Sequence, residues 1–280
     1  MRNDTRASEL RGDAFAGVPR TQVLQIPRSS YYAMRRNGVR RAVYKEELRR
    51  AVHDAFVEHH GSFGRRMLKR ILEQKNVRLS EYKISKILKE LGFRSKYGRK
   101  RCKNIYTSKN TEKYIRQNLY ANLTDEQKNQ MDIWSMDFTE EKIDGKKIYT
   151  CGIISVNRKI LVGCAQGPRC TTALAMEAFA NAMLAYGIPD MVMTDRGAQF
   201  VSRDFHAMME DWGIRHSMSR PHTPIDNRFI ETFWKSMKVE LGKKDLLNEQ
   251  TYRMVIEYYI YYYNNLRPHS SLGYVPPLAA

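Results

Sequence analysis

Three acidic residues, Asp137, Asp195 and Glu231, stand at positions that an apolar core does not require. Asp137 lies within "IWSMDFT", on the strand face opposite the large apolar side chains, although aspartate is disfavoured in strands. Asp195 ends the buried run "MVMTD", and α/β sheets bind ligands beyond the carboxyl ends of their strands. Glu231 lies beside the apolar stripe of a helix. Such carboxylates suit hard divalent cations, and two ions about 3.5 to 4 Å apart support phosphoryl transfer.

Each acid also has a purely structural explanation. Asp137 can pair with a cation, Asp195 can shape the turn in "MVMTDRGAQF", and Glu231 can be a solvated acid favoured by the helix dipole. A strand-borne Asp, a strand-end Asp and a helix Glu can nevertheless converge on one site. Together they favour metal binding over three unrelated roles.

The charge balance indicates the partner. The 280 residues include 48 Lys and Arg and 30 Asp and Glu, which gives a net charge of +18. This charge favours a polyanionic binding partner such as nucleic acid. No apolar run is long enough to span a bilayer and no signal segment opens the chain, so we expect a cytoplasmic protein without a membrane partner. The four cysteines form no CxxC pair, and neither a zinc ribbon nor a redox motif is expected.

The elements that position the acids follow from residue 131 onward. Asp144-Gly145 predicts a hairpin between "DIWSMDFTEEKI" and "KKIYTCGIISV". Further strands ("KILVGCAQ", "MVMTD", "IRHSMS") alternate with capped helices ("TTALAMEAFANAMLAYG", "SRDFHAMMEDWG"). This order predicts an α/β fold of the ribonuclease-H-like kind, a mixed five-stranded sheet flanked by helices.

Two more helices are predicted at the C-terminal end, in "DNRFIETFWKSMKVELG" and in the tyrosine-rich "TYRMVIEYYIYYYNNLRP", which stops at Arg267-Pro268. The tyrosines can stack on bases, but at helical spacing an aromatic stripe is more often packing.

The N-terminal half predicts an all-α, DNA-binding region. Helices are expected in "IPRSSYYAMRR" and in "RAVYKEELRRAVHDAFVEHH". A third carries the apolar stripe 67–72, and a fourth is capped by Ser80. The last two, crowded by basic residues, suit a helix-turn-helix on DNA, with a solvated helical bundle as the alternative. The stretch "RSKYGRKRCK" reads as a phosphate-binding linker or a merely solubilising segment. The predicted divisions are 1–26 (unassigned), 27–103 (helix-turn-helix-like with basic linker), 104–130 (connector) and 131–280 (catalytic core).

The acids resemble a known triad. With 35 residues between Asp195 and Glu231, they match the Asp-Asp-35-Glu pattern of retroviral integrases and insertion-sequence transposases. The surrounding motifs "WSMDFT", "TDRGAQF", "DNRFIETFWKSMKVE" and "YNNLRPHSSLGYVPP" look like the catalytic chain encoded by the second reading frame of IS-three family insertion sequences. The resemblance extends from about Ile26 to Pro277, and the zinc module of retroviral integrases is missing.

The resemblance implies a transposase catalytic subunit. It would cut one strand at a transposon end to give a 3′-hydroxyl and transfer that hydroxyl to another phosphodiester. The triad would bind two Mg²⁺ ions, with Mn²⁺ as a substitute. Lys238, seven residues after Glu231, would position a DNA phosphate. Arg196 and Gly197 would form a basic exit along which a strand passes. The other predicted DNA contacts are Lys235, Asn227, Arg65, Arg66, Lys69, Lys83, Lys86, Arg99, Lys100 and Arg101.

The implied partners are double-stranded DNA, as transposon ends and target, and further copies of the chain assembled on it. A protein from an upstream frame, carrying a helix-turn-helix and a leucine zipper, would act beside the chain or be fused to it by frameshifting. Two other functions stay open: a ribonuclease-H-like nuclease that does not join strands, and a non-catalytic DNA-binding protein derived from a transposase.

Overall fold

The computed structural model describes residues 27–97, 116–220, 223–242 and 248–280. The described residues fall into two compact units that meet in sequence between Asp54 and Ala55. The predicted N-terminal segment 1–26, residues 104–115 of the connector, and Arg99, Lys100 and Arg101 lie outside the described residues. In the described part of the chain, no helix is both long and apolar enough to cross a membrane. The predicted domain limits stay a prediction.

The first described helix, α1 (Arg28–Glu58), is continuous where two helices were predicted. The prediction of two helices was wrong, since Gly38, which lies between the two patterns, does not interrupt the helix. One glycine inside a helix costs about 1 kcal/mol relative to alanine, and no proline accompanies it. The helix therefore runs through.

The predicted pair of short helices is confirmed as α2 (Arg65–Gln74) and α3 (Glu81–Glu90). Asn76 has a positive φ of 60° at the break, and the Ser80 hydroxyl accepts a hydrogen bond from the Lys83 backbone N–H at the start of α3. Their apolar faces are buried: Leu68, Ile71 and Leu72 on α2, and Ile84, Ile87 and Leu88 on α3. This is the compact helical pair that the sequence predicted.

A five-stranded sheet forms the centre of the second unit. A short helix, α4 (Asp125–Gln130), precedes β1 (Ile133–Ile143), β2 (Lys146–Ser155) and β3 (Leu161–Gly167). Then come α5 (Thr172–Tyr186), β4 (Met191–Thr194), α6 (Arg203–Asp211) and β5 (Arg215–Met218). Asp144 and Gly145 both have positive φ in the tight turn between β1 and β2.

The strand order is β3-β2-β1-β4-β5. β1 pairs antiparallel with β2 and parallel with β4, while β2 pairs antiparallel with β3 and β4 pairs parallel with β5. This confirms the mixed sheet that was predicted as ribonuclease-H-like. It also makes β1 the central strand, with a parallel neighbour on one side only.

Helices cover both faces of the sheet. On one face, Trp134 and Met136 pack with α5 residues such as Phe179. The other face is covered by α7 (Arg228–Leu241), which follows the short turn Pro224–Asn227, and by α8 (Glu249–Asn265). Since side chains alternate along β1, Ser135 and Asp137 face α7. The sheet thus presents Asp137 to the helix that carries Glu231.

The tyrosines of α8 form a buried group and an exposed group. Tyr252, Tyr259, Tyr262 and Tyr263 are buried, whereas Tyr258 and Tyr261 are each 56% exposed. Packing accounts for the buried four. Short 3₁₀ turns, Tyr120–Asn122, Ser270–Leu272 and Pro277–Ala279, complete the described elements.

Candidate active site

Asp137 occupies the middle of β1, and its Cα pairs with that of Gly152 on β2. Burial and the carboxylates of Asp195 and Glu231 raise the pKa of Asp137 to about 8, and nearby Lys238 acts in the opposite direction. The three predicted acids are therefore close enough to interact electrostatically. Asp137 thus lies in a strand, which is unfavourable for aspartate, and also beside two further negative charges.

Asp195 follows directly after β4. The parallel register pairs Ser135 with Met193, so the second residue beyond each of them, Asp137 and Asp195, lies at the same level of the sheet. Burial raises the pKa of Asp195. Its Oδ1 atom also accepts a hydrogen bond of 2.9 Å from the Gly197 backbone N–H. The turn-forming role is thus real, and it coexists with a position beside Asp137.

Glu231 lies in the first turn of α7 and is accessible to solvent. Ile230, Phe233 and Met237 are buried beneath the helix, as the predicted stripe requires. Partial burial and the Asp195 carboxylate raise the pKa of Glu231. The helix thus holds a third carboxylate near the adjacent strands β1 and β4.

The donor set fits a divalent cation chemically. All three side chains offer hard oxygen ligands, and each carboxyl group has a raised pKa, so that a bound cation would relieve both the burial and the mutual repulsion. Within the described residues, no three acidic, histidine or cysteine side chains already form a closed metal-ligand group. The assignment of these acids as metal ligands therefore stays a proposal.

Two basic residues on α7, Lys235 and Lys238, follow Glu231 by about one and two helical turns. Lys238 Nζ lies 3.6 Å from Glu141 Oε1 on β1, and the Lys238 side chain is 44% exposed. Lys235, one turn after Glu231, is exposed. Both are accessible to an anionic substrate, as their predicted roles require. Arg196 is less so, because its Nε donates to the Ser219 carbonyl at 2.9 Å.

Asn227 has a structural role that the sequence did not reveal. It is 4% exposed, its Oδ1 accepts a hydrogen bond of 2.5 Å from Ser135 Oγ, and its Nδ2 donates to the Met136 carbonyl. These bonds join the start of α7 to β1 at the two residues that precede Asp137. Both polar atoms of the Asn227 amide group are thus hydrogen-bonded to β1.

A glycine lets α7 approach the sheet beside Asp137. A Cβ atom added to Gly152 would lie 2.6 Å from Cη2 of Trp234 on α7. Sequence reasoning missed this contact, although a glycine inside a strand is itself a signal of close approach by another element.

The predicted DNA contacts of the helix-turn-helix-like region differ in their surroundings. Arg65 and Arg66 both lie near Glu81, at 3.1 and 3.8 Å, and Lys69 Nζ lies 3.7 Å from Glu73. Lys83 and Lys86 are exposed on α3.

Comparison with known proteins supports both an integrase-like catalytic core and a helix-turn-helix-like region in this chain. Residues 127–224 and 212–277 each match a family described as "Integrase core domain", and residues 43–101 match one described as "HTH-like domain". The two integrase-core matches together extend over more than half of the 280 residues. The chain is therefore a DDE-type transposase/integrase, an enzyme with an integrase catalytic core.

The curated relatives narrow the class. The chain is 28% identical over 263 residues to "Insertion element IS600 uncharacterized 31 kDa protein" of Shigella sonnei, with 92% of this chain and 96% of the relative covered. It is 27% identical to "Transposase InsF for insertion sequence IS3A" of Escherichia coli strain K12, with 91% and 90% covered. "Transposase for insertion sequence element IS904" of Lactococcus lactis is 25% identical, with 87% and 97% covered. The resemblance to IS-three family transposases is confirmed.

Among solved structures, the chain is similar to the catalytic core domain of HTLV-2 integrase in complex with magnesium. That likeness has a TM-score of 0.44 at 18% identity and covers 53% of this chain and 94% of that one. A simian T-cell lymphotropic virus intasome structure gives the same TM-score and identity over 78% of this chain and 69% of that one.

Proposed function

We propose that this chain is the catalytic subunit of an insertion-sequence transposase that cuts transposon ends and joins them to new DNA. The observation that carries the proposal is the placement of Asp137 and Asp195 at the same level of adjacent strands in an integrase-core sheet, with Glu231 near enough to raise the pKa of Asp137. Cleavage exposes a 3′-hydroxyl at the end of the element. That hydroxyl then attacks a target phosphodiester, displacing one 3′-oxygen as the new bond forms.

In this proposal Asp137, Asp195 and Glu231 would bind two Mg²⁺ ions. Mn²⁺ could replace Mg²⁺ as the cofactor. When bound, the metal would supply charge stabilisation to the attacking and leaving oxygens. Lys238 binds a phosphate beside the reacting one, because its ammonium group lies on the exposed side of α7 above β1. Lys235 binds the strand one turn closer to Glu231.

The proposed substrate contacts extend to the helix-turn-helix-like region. Arg65, Arg66, Lys69, Lys83 and Lys86 contact the phosphates of the transposon end. Arg99, Lys100 and Arg101, which follow in the sequence, are proposed as further phosphate contacts. Helix-turn-helix-like domains bind duplex DNA, and the net charge of +18 favours that partner.

We also propose the wider setting. The chain acts in the bacterial cytoplasm on nucleoid DNA, as an oligomer that brings two ends together, and an upstream-frame protein assists or is fused to it. The relatives named above are proteins of bacterial insertion sequences and are covered over 90 to 97% of their lengths. That similarity in length supports an equivalent part for this chain in its own element.

The test uses the terminal inverted repeat of the element that encodes the chain, read from the DNA that flanks the gene. A duplex with a pre-cut end and a target duplex are incubated with Mg²⁺, and joined products are separated by size. Single changes of Asp137, Asp195 or Glu231 to Ala are expected to reduce joining by at least a thousandfold while end binding stays within a few-fold of wild type. Normal joining in any of the three would contradict the assignment.

The same assay separates the other functions. When an uncut end duplex is also supplied, a nuclease that does not join would cut it and leave the pre-cut end unjoined, and a purely DNA-binding protein would neither cut nor join. A joined product from the unmodified chain is the result that only the transposase hypothesis predicts.

A further inference from the structure

Two residues that follow α3 contact the C-terminal end of α7. Lys96 Nζ donates a hydrogen bond of 2.8 Å to the backbone carbonyl of Glu240, and the Tyr97 hydroxyl donates one of 2.8 Å to Glu240 Oε1. Glu240 follows Lys238 by two residues on the helix that begins with Glu231 in its first turn. The chain leaving the helix-turn-helix-like region is thus attached directly to the helix of the candidate active site.

Glu240 offers a rigid anchor for this attachment. Its side chain is fully buried, and its carboxylate accepts hydrogen bonds from Arg267 Nη2 at 2.7 Å and Nε at 2.9 Å. The Tyr259 hydroxyl on α8 donates to the other oxygen at 2.9 Å. Buried charges are held in one geometry when every donor and acceptor is paired. A group bound to Glu240 is therefore fixed relative to both α7 and α8.

The segment that enters the helical pair is held at the same place. His59 Nδ1 lies 3.1 Å from the Tyr262 hydroxyl, and the Arg267 guanidinium lies 5.4 Å from the centre of the Phe63 ring. The entry and exit segments are also joined to each other, since the Lys96 backbone N–H donates to the Gly61 carbonyl at 3.1 Å. Both ends of the α2–α3 pair are thereby tied to the α7–α8 end of the core.

We propose that Lys96 and Tyr97 are positioning residues. They fix the distance from the DNA that α2 and α3 bind to the carboxylates of the active site. This inference rests on the proposed function. A helix moves as a rigid body over these few turns, so tying its end at Glu240 fixes the distance from bound DNA to Glu231 and Lys238. Correct placement of a reacting phosphate is worth a large rate factor, and a shift of about 1 Å can cost a hundredfold.

The experiment uses the full chain with the double change Lys96→Met and Tyr97→Phe, which removes both hydrogen bonds and keeps most of the side-chain volume. The probe is a labelled duplex that carries the terminal inverted repeat of the encoding element. End affinity is expected to stay within twofold of wild type. Cleavage at the wild-type nucleotide is expected to fall at least tenfold, and the remaining cuts to spread over neighbouring nucleotides.

The matched control is Tyr259→Phe. It removes a donor from the same buried carboxylate within the core and leaves the attachment of Lys96 and Tyr97 intact. Thermal melting monitors the folding of each protein. The control is expected to lose stability without scattering its cuts, whereas a purely structural role for Lys96 and Tyr97 would make the two variants behave alike. Equal scattering in both, or wild-type cutting by the double variant, would overturn the proposal.

A second readout keeps this inference separate from the proposed function. Hydrogen exchange of the amides of α7 is measured with and without the end duplex. The duplex is expected to slow exchange near Lys238 in the wild-type chain, and the double variant is expected to lose at least half of that protection while binding the duplex. If the wild-type chain neither cuts nor joins, the proposed function fails and this measurement still decides the coupling: unchanged protection in the variant would exclude it.

Discussion

Asp137 brings a carboxyl group into the central strand beside two other acids, and its raised pKa makes stability depend on pH. Between the ordinary value of 3.8 and about 8, the folded chain keeps a proton that the unfolded chain has released. Stability of the metal-free protein should therefore fall as pH rises through this window, by up to about 1.4 kcal/mol per pH unit from this one group. Urea unfolding at several pH values, compared with Asp137→Asn, measures that contribution.

The substituted protein should lose this component of the slope and be more stable than wild type at pH 8. Because Mg²⁺ would favour the ionised form, the difference between the two proteins should shrink when Mg²⁺ is present. Identical pH profiles without metal would show that Asp137 ionises normally in the folded protein.

Glu141 is the ion-pair partner of Lys238 in the absence of DNA, with its carboxylate 3.6 Å from the Lys238 ammonium group. A phosphate that binds Lys238 must replace this partner. Partly exposed ion pairs are worth about 0.2 to 1 kcal/mol, so Glu141→Gln should tighten binding of the end duplex by about two- to fivefold. Fluorescence anisotropy at fixed salt measures the dissociation constant.

Glu140→Gln is the matched control. It removes the same charge from the neighbouring residue of β1, whose carboxylate pairs instead with Lys147 at 3.2 Å. Equal gains in affinity from both changes would reflect general electrostatics and would count against a specific pairing of Glu141 with Lys238.

Among the elements, α7 depends on Gly152 for its distance from the sheet. A methyl group at Gly152 would come within 2.6 Å of the Trp234 ring, and overpacking of this kind costs about 1 to 3 kcal/mol. Gly152→Ala should lower the melting temperature and reduce strand joining, because α7 carries Glu231 away from Asp137. Calorimetry and the joining assay measure the two effects.

A second substitution tests whether the clash is the cause. Trp234→Phe removes the outer ring atoms that the methyl group would meet, so the double variant should recover part of both losses. Gly64→Ala, at a glycine with ordinary φ and open space, should change stability little. Losses from Gly152→Ala that Trp234→Phe leaves unchanged would point to another cause.

The elements that the sequence predicted are those with local signals. The turn at Asp144-Gly145 and the caps Ser80, Thr171 and Ser202 depend on a few adjacent residues, and all four are present. Long-range contacts have no such signal. The pairing of Glu240 with Arg267 joins residues far apart in the chain, and a glutamate near a helix end is by itself an ordinary surface residue.

The same distinction applies within the candidate site. The pattern of strands and helices predicted the mixed sheet, whereas the strand order that brings Asp137 and Asp195 together was seen only in the structure. The burial of Asn227 against Ser135 depends on how α7 meets β1, which a single sequence does not specify. The prediction of Asn227 as a DNA contact therefore did not anticipate that its amide group is buried against β1.

For the molecule as a whole, the charge of +18 makes DNA binding sensitive to salt. Each phosphate neutralised on a duplex adds about 0.9 to the slope of log affinity against log salt concentration. If Lys83 and Lys86 each neutralise one phosphate, changing both to Ala should reduce that slope by about 2 and weaken end binding most at low salt. Titrations between about 50 and 200 mM salt measure the slope.

Arg203 and Arg215 provide the comparison, because they are exposed on α6 and β5 and their removal lowers the net charge by the same amount. Alanine at these two positions should shift affinity slightly and leave the slope unchanged, since distant charges act through a field that salt screens within about 10 Å. Equal slopes for the two double variants would mean that total charge, rather than contact by α3, governs binding of the end.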